Sequence, residues 1–317
     1  MTTFSSISLV TILQKKLVMI SMMLAPVSVS LAQNSSMDKA VPDTLQTLKG
    51  FTQTFYYSPG QQQRASSIAA LMEDAGAFFQ NEIGFTPAAT LYVLAPRHWK
   101  EFAAKPLHEV YGFPHNLDQN RLVVAAEDNN FWRSFLRATN NMEPGLASRT
   151  TNAYGRQDGT LSLMPFFDLL ALHEMGHCYT AQAGLKMHRQ WMGELFVNVM
   201  LHTYVAEKQP TLLPALEAFP ALVLSEGTAG YSYTSLQDFE RLYATLGMGP
   251  KNYGWYQSKL HAAAKDIYNA GSKAVLKKLW AALKNHQEVM TDVAFASMLQ
   301  QEVHPSVANV YLDWNSH

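Results

Sequence analysis

His173-Glu174-Met175-Gly176-His177 sets two imidazoles four residues apart with a carboxylate beside the first. On an α-helix, residues i and i+4 project from one face, so both rings can reach a single metal ion. Glu174 is rotated by about 100° from His173, where it can address a water molecule next to that ion. The H-E-x-x-H spacing is thus the pattern of zinc-dependent hydrolysis, two neutral nitrogen ligands and a general base supplied by one turn of helix. The alternative reading is an accidental match or a relic that has lost its metal.

The residues leading into it, Leu161-Ser162-Leu163-Met164-Pro165-Phe166-Phe167-Asp168-Leu169-Leu170-Ala171-Leu172, carry the start of that helix. Pro165 suits a first helical position and Asp168 complements the positive end of the helix dipole, so the helix is expected to begin near Pro165. Gly184 is its expected stop. Phe166, Leu169 and Leu170 lie roughly on the side of His173 and His177, whereas Leu172, Met175 and Tyr179 point elsewhere. A helix apolar nearly all round belongs in the middle of its domain.

Two imidazoles leave a catalytic zinc one protein ligand short. Glu194 is the best candidate for the third. It follows in Gln190-Trp191-Met192-Gly193-Glu194-Leu195-Phe196-Val197-Asn198-Val199-Met200-Leu201-His202, which reads as a second helix ending before Pro210. From His177 to Gly184 the chain advances about 10 Å along the first helix, and from Gln190 to Glu194 it returns about 6 Å along the second. A short turn and the long Glu side chain absorb the difference.

Over residues 165–202 the chain resembles the gluzincins, the thermolysin-like zinc peptidases in which a downstream helix supplies a glutamate ligand. The resemblance implies Zn2+ on His173, His177 and Glu194, with Glu174 as general base and a protein or peptide as substrate. It also implies a zincin-like α+β fold, with a small N-terminal mixed sheet, an H-E-x-x-H helix and a helical C-terminal half. In those enzymes an acidic residue commonly stands four positions after the ligand Glu and orients a ligand His. Here that position is Asn198, whose amide oxygen can still accept an imidazole N–H. The interval from His177 to Glu194 is also slightly shorter than in thermolysin, and the resemblance fixes a superfamily rather than a substrate.

Thermolysin-like enzymes draw an oxyanion donor from a Tyr or His in the C-terminal half. The best local match is Asn252-Tyr253-Gly254-Trp255-Tyr256-Gln257. Tyr253 is the candidate, because Tyr256 continues into an apolar face with Leu260, Ala263 and Ile267. A metzincin pattern fails, since Thr180 and Ala183 stand where it needs Gly and His. The fragment Gly227-Thr228-Ala229-Gly230-Tyr231 lacks the Asp of an aspzincin and reads as a turn entering the next helix. No Gly-Ala-Met-Glu-Asn-like aminopeptidase motif lies upstream.

Residues 1–32 read as a secretory signal: Lys15 and Lys16, an apolar run from Leu17 to Ala25, then Ser30-Leu31-Ala32 before Gln33. Cleavage is expected after Ala32, giving an exported protein, periplasmic or secreted. Pro26 interrupts the run short of the roughly 20 residues a membrane span needs, so no stable insertion is expected after cleavage. Cys178 is the only cysteine, which excludes an intrachain disulfide, and it reads as a small buried hydrophobe. With 24 Lys and Arg against 25 Asp and Glu and no basic stripe, a nucleic-acid partner is excluded.

The mature chain is long enough for two closely packed parts, residues 33–164 carrying a substrate-binding sheet edge and residues 165–317 carrying the metal helices and a helical C-terminal half. Residues 33–48 read as a polar tether, with the fold starting near Phe51. Residues 61–83 read as a helix with Ile68, Leu71, Met72, Ala75, Phe78 and Phe79 on its apolar side and Gly84 as its stop. Residues 90–94, 121–125 and 160–164 read as strands. Residues 122–126 are nominated as the open edge that pairs with an extended substrate; an internal strand is the alternative. Beyond Thr211 helices are expected over residues 236–246, 253–269, 273–284 and 292–302.

His98, His108, His115, His202 and His261 read as surface or hydrogen-bonded core histidines. His202, eight residues beyond Glu194 through Asn198, has the better case for standing behind the ligands. A rival function keeps the cleft without the chemistry, a non-catalytic zincin-like protein that binds cell-wall or protein ligands. The intact Glu174 weighs against it, since a pure binding module has no need of a base.

Overall fold

The computed structural model describes residues 44–105, 107–136, 139–243 and 248–316. The signal expected over residues 1–32, most of the tether and the last turn expected over residues 236–246 lie outside the described residues.

Short runs of β-branched and aromatic residues form five strands: β1 (Gln46–Leu48), β2 (Thr54–Tyr57), β3 (Thr90–Leu94), β4 (His115–Asn116) and β5 (Arg121–Ala125). Their order in the sheet is β1-β2-β3-β5-β4, with β2, β3 and β5 parallel and the outer strands antiparallel to their neighbours. The sheet is mixed and the chain α+β, as the sequence leads one to expect. Register places Phe55, Leu91 and Leu122 in one row and Tyr57, Val93 and Val124 in the next. These rows face the main core, while Tyr56, Tyr92 and Val123 on the opposite face join Leu45, Leu94 and Trp99 in a smaller one.

The sheet corrects several expectations. The fold begins before Phe51, because β1 pairs with β2 and buries Leu48 opposite Phe55. Residues 160–164 are no strand: Leu161 makes a single bridge to Gly155, and Met164 already opens a helix. Residues 122–126 are not the open edge either. Strand β5 is flanked by β3 and β4, so the internal alternative holds and the free edge on this side belongs to β4.

The parallel pair β2 and β3 is joined through α1 (Gln62–Ile83), whose Ile68, Met72, Ala75, Phe78 and Phe79 are buried and whose end is set by Gly84 at φ 69°. Short helices α2 (Pro96–Phe102), α3 (Asn130–Arg133) and α4 (Pro144–Tyr154) fill the connections before α5 (Met164–Ala183), which carries the H-E-x-x-H sequence and stops at Gly184, φ 67°. The Asp168 carboxylate is gripped by both terminal nitrogens of Arg64, tying α5 to α1. The C-terminal half is helical: α6 (Gln190–Lys208), α7 (Leu213–Leu224), α8 (Leu236–Leu242), α9 (Gly249–Gly271), α10 (Ala274–Asn285), α11 (Asp292–Met298) and α12 (Pro305–Leu312). Among the described residues no helix is long and apolar enough to cross a membrane.

Helix α6 is the centre of this half. From Trp191 to Val205 every residue but Gly193 is buried, against α5 on one side and α7 and α9 on others. Its crossing with α5 is close because Gly176 has no side chain: a Cβ there would lie 2.9 Å from both Cβ and Cγ1 of Val197. Gly176→Ala should therefore cost about 1–3 kcal/mol of stability through overpacking, read as a lower denaturation midpoint. Adding Val197→Ala should recover only part of the loss, because the Val197 Cβ stays in place, and an unchanged midpoint in the single variant would show that the crossing is not tight.

Candidate metal centre

Helices α5 and α6 run antiparallel across one another, since His173 meets Asn198 while His177 and Gly176 meet Glu194 and Val197. This crossing brings Glu194, expected from the sequence as a third ligand, beside both imidazoles. His173 Nε2 lies 3.3 Å from Glu194 Oε2, and His177 Nε2 lies 3.8 Å from Glu194 Oε1. One donor atom from each residue falls within 4.8 Å of the others. Donors held 2.0–2.1 Å from a tetrahedral ion stand roughly 3.3 Å apart, so the set fits zinc in type, the His173–Glu194 pair matches it in spacing, and the His177–Glu194 pair has to close slightly. His173 and Glu194 are buried, whereas 29% of the His177 side chain is exposed, so the group opens to solvent on that side.

The electrostatics are those of a carboxylate held among imidazoles. Burial alone would raise the Glu194 pKa; His177 and His173, with a hydrogen bond from Tyr243, outweigh it and hold the carboxyl well below its usual range. Burial would lower His173, but its hydrogen bond to Glu194 and the charges of both glutamates carry it upward. His177 is pushed down to about 4, chiefly by burial. Glu174 is pushed up to about 8, again chiefly by burial, with Glu194 adding repulsion.

The N-terminal half reaches Glu174 through the sheet. Leu117 N–H donates to the Arg121 carbonyl at 2.7 Å, so the antiparallel alternation turns the main-chain groups of Asn116 away from β5, toward the open edge. The Asn116 N–H is the one that meets the Glu174 carboxylate. The two-residue β4 therefore lies alongside the general-base candidate.

The C-terminal half supplies a second wall. The Tyr243 hydroxyl, at the end of α8, donates to Glu194 Oε1. From α9, Gln257 Nε2 donates to Glu194 Oε2 at 2.8 Å and to the Tyr253 hydroxyl at 2.9 Å. Tyr253 is thus brought to the centre, while Tyr256 is fully buried and donates to the Ser235 carbonyl as a core residue. Asn198 Oδ1 takes the position expected of it, 2.8 Å from His173 Nδ1.

Tyr243, Gln257 and Asn116 were not given roles by the sequence. Gln257 and His261 had a signal, since Tyr253, Gln257 and His261 form a polar stripe at i, i+4 and i+8 on an otherwise apolar face. Tyr243 and Asn116 had none, being placed by tertiary packing. His202 does not stand behind the ligands: its ring packs near Tyr268 at 5.6 Å, and the histidine against His173 is His261, at 6.1 Å. Cys178 is buried, with its thiol pushed up to about 12 by burial. Comparison with protein-family models, curated proteins and solved structures finds no match.

His115 beside Asn116 is a structural histidine. Its Nε2 accepts the Ala104 N–H at 3.0 Å, so Nδ1 carries the hydrogen donated to the Phe113 carbonyl at 2.8 Å. Burial pushes its pKa down from 6.5 to about 4. The unfolded chain then binds more protons than the folded one between those values, so the stability this residue contributes is present above pH 6.5 and is lost as pH falls toward 4. The stability difference between wild type and His115→Gln should shrink by roughly 1.4 kcal/mol per pH unit across that window. Denaturant titrations at several pH values test this, and a constant difference would show that His115 titrates normally.

Proposed function

We propose that this chain is an exported zinc-dependent peptidase of gluzincin type, held by a zincin-like fold, with His173, His177 and Glu194 as ligands and Glu174 as general base. What carries the proposal is the meeting of those three donors, within 4.8 Å of one another, beside a partly exposed Glu174 and the free edge of β4. A zinc ion there would supply Lewis acidity, acidifying water and polarising a carbonyl, and its charge would draw the Glu174 carboxyl back down.

The chain's own groups account for the remainder. At the open edge of β4 the outward-facing Asn116 carbonyl offers an acceptor to an extended peptide, whose backbone then lies beside Glu174. Glu174 takes a proton from the attacking water and passes it to the leaving amine. Tyr253, whose hydroxyl is oriented by Gln257, donates to the carbonyl oxygen as negative charge develops there. Tyr243 holds the Glu194 oxygen nearer His177. The substrate is a protein or peptide, met outside the cytoplasm after removal of residues 1–32.

Purified mature protein should carry about one zinc per chain. Glu194→Ala should abolish binding, whereas Glu207→Ala and Glu226→Ala should not; equal effects, or a wild type that takes up no transition metal, would reject the site.

At matched zinc content, Glu174→Gln should retain metal and fold while losing hydrolysis of a peptide library by about 10²- to 10⁴-fold, because an amide cannot accept the water's proton. Equal activity in the two proteins would place the chemistry elsewhere. A folded, zinc-loaded wild type that cleaves nothing would favour the binding-module reading.

A further inference from the structure

An amide at position 198 has a weakness that a carboxylate does not. Either carboxylate oxygen can accept a proton from an imidazole, whereas an amide presents an acceptor on one side and two donors on the other. If Asn198 turned over, its NH2 group would face His173 Nδ1 and favour the tautomer protonated at Nε2. That tautomer has no lone pair on the nitrogen facing Glu194 and His177, and cannot hold metal there.

We propose that Gln257 is a positioning residue that locks the orientation of Asn198, and through it the metal-binding tautomer of His173. The proposal rests on the zinc reading above for its purpose, though the lock itself is a property of the protein alone.

The chain of constraint starts at Glu194. Its ionised carboxylate only accepts hydrogen bonds, so the group of Gln257 lying 2.8 Å from Oε2 must be the NH2. The same nitrogen donates its other hydrogen to Tyr253. Gln257 Oε1 is then left facing Asn198, 3.5 Å from the nitrogen of its amide. This contact is long, but the reversed amide would set two oxygens against each other at that separation. Asn198 Oδ1 is consequently turned to His173 Nδ1, which must carry the hydrogen it donates at 2.8 Å. Asn198 is fully buried, His173 and Glu194 nearly so and Gln257 half-buried, so no water competes freely for the Asn198 amide itself. One ligand, Glu194, thus dictates the tautomer of another through two neutral amides.

The experiment uses full mature protein, zinc competed against a chelating dye, and four forms: wild type, Gln257→Leu, Asn198→Asp and the double variant. Gln257→Leu should weaken zinc about 10- to 100-fold. In the Asn198→Asp background, where no orientation needs locking, the penalty of the same substitution should shrink by about 10-fold or more. A purely structural role for Gln257 would give equal penalties in both backgrounds and would overturn the proposal.

Nitrogen-15 spectra of the His173 ring in metal-free protein, taken where the ring is charged and Glu194 holds Nε2–H, read the lock without zinc. Wild type should show one Nδ1–H signal protected from exchange by its bond to Asn198, Gln257→Leu a split or fast-exchanging one, and the double variant a single protected signal again. An unchanged Nδ1–H signal in Gln257→Leu overturns the proposal. A loosened Nδ1–H in a protein that binds no zinc would sustain the lock and sink the zinc reading instead.

Discussion

A carboxylate with 2% of its surface exposed governs the arrangement of the C-terminal half. Charge that far from water is tolerated only where partners replace its hydration, because an uncompensated buried ion costs several kcal/mol. Glu194 finds its partners on three different helices: His173 and His177 from α5, Tyr243 from the end of α8 and Gln257 from α9. The relative placement of those helices is therefore not free. Moving α8 or α9 away takes one of two partners from one carboxylate oxygen, and moving α5 away takes one partner from each. Gly176 is the steric counterpart of this demand, since only a residue without a side chain lets α5 come close enough to α6 for two imidazoles to reach Glu194.

The sheet answers a second constraint. Helix α5 is buried on nearly every side, so something must cover it opposite α6, and the rows Phe55–Leu91–Leu122 and Tyr57–Val93–Val124 contribute to the same core as its apolar residues. Register fixes more than burial. Because Leu117 pairs with Arg121, the intervening Asn116 has to present its main chain outward, and that is where Glu174 lies. His115, with both ring nitrogens engaged, pins the short strand that makes this alternation possible. Strand β4 owes its position to these contacts rather than to its length.

Much of the centre was legible in the sequence because its information is local. Helical spacing placed His173 and His177, Pro165 and Gly184 bounded α5, and the short return from Gly184 brought Glu194 within reach. Asn198 could be assigned to His173 for the same reason, one turn beyond Glu194. Residues 160–164 misled because Leu161 and Leu163 alternate with Ser162 as a strand would. Leu163 is instead the residue before a helix, at φ −80° and ψ 0°, buried because the chain turns inward there. The edge strand was misplaced for a different reason. Residues 121–125 have strand character, and nothing local says that two further residues, His115 and Asn116, fold back to cover them. Tyr243 belongs to the same class, reaching Glu194 across the fold from a stretch with no pattern of its own.

The neutral residue at position 198 is intelligible against the buried carboxylate. An aspartate there would place a second negative charge one helical turn from Glu194, on the same face of α6 and with no surface exposure. At an effective dielectric well below that of water, like charges so placed raise each other's pKa and destabilise the ionised pair. An asparagine supplies the acceptor without the charge, and its cost is orientational rather than electrostatic. The polar stripe of α9 meets that cost at the point where Gln257 bridges Asn198 and Glu194. The amide at 198 and the amide at 257 are thus two halves of one solution, and the packing of α9 against α6 is what joins them.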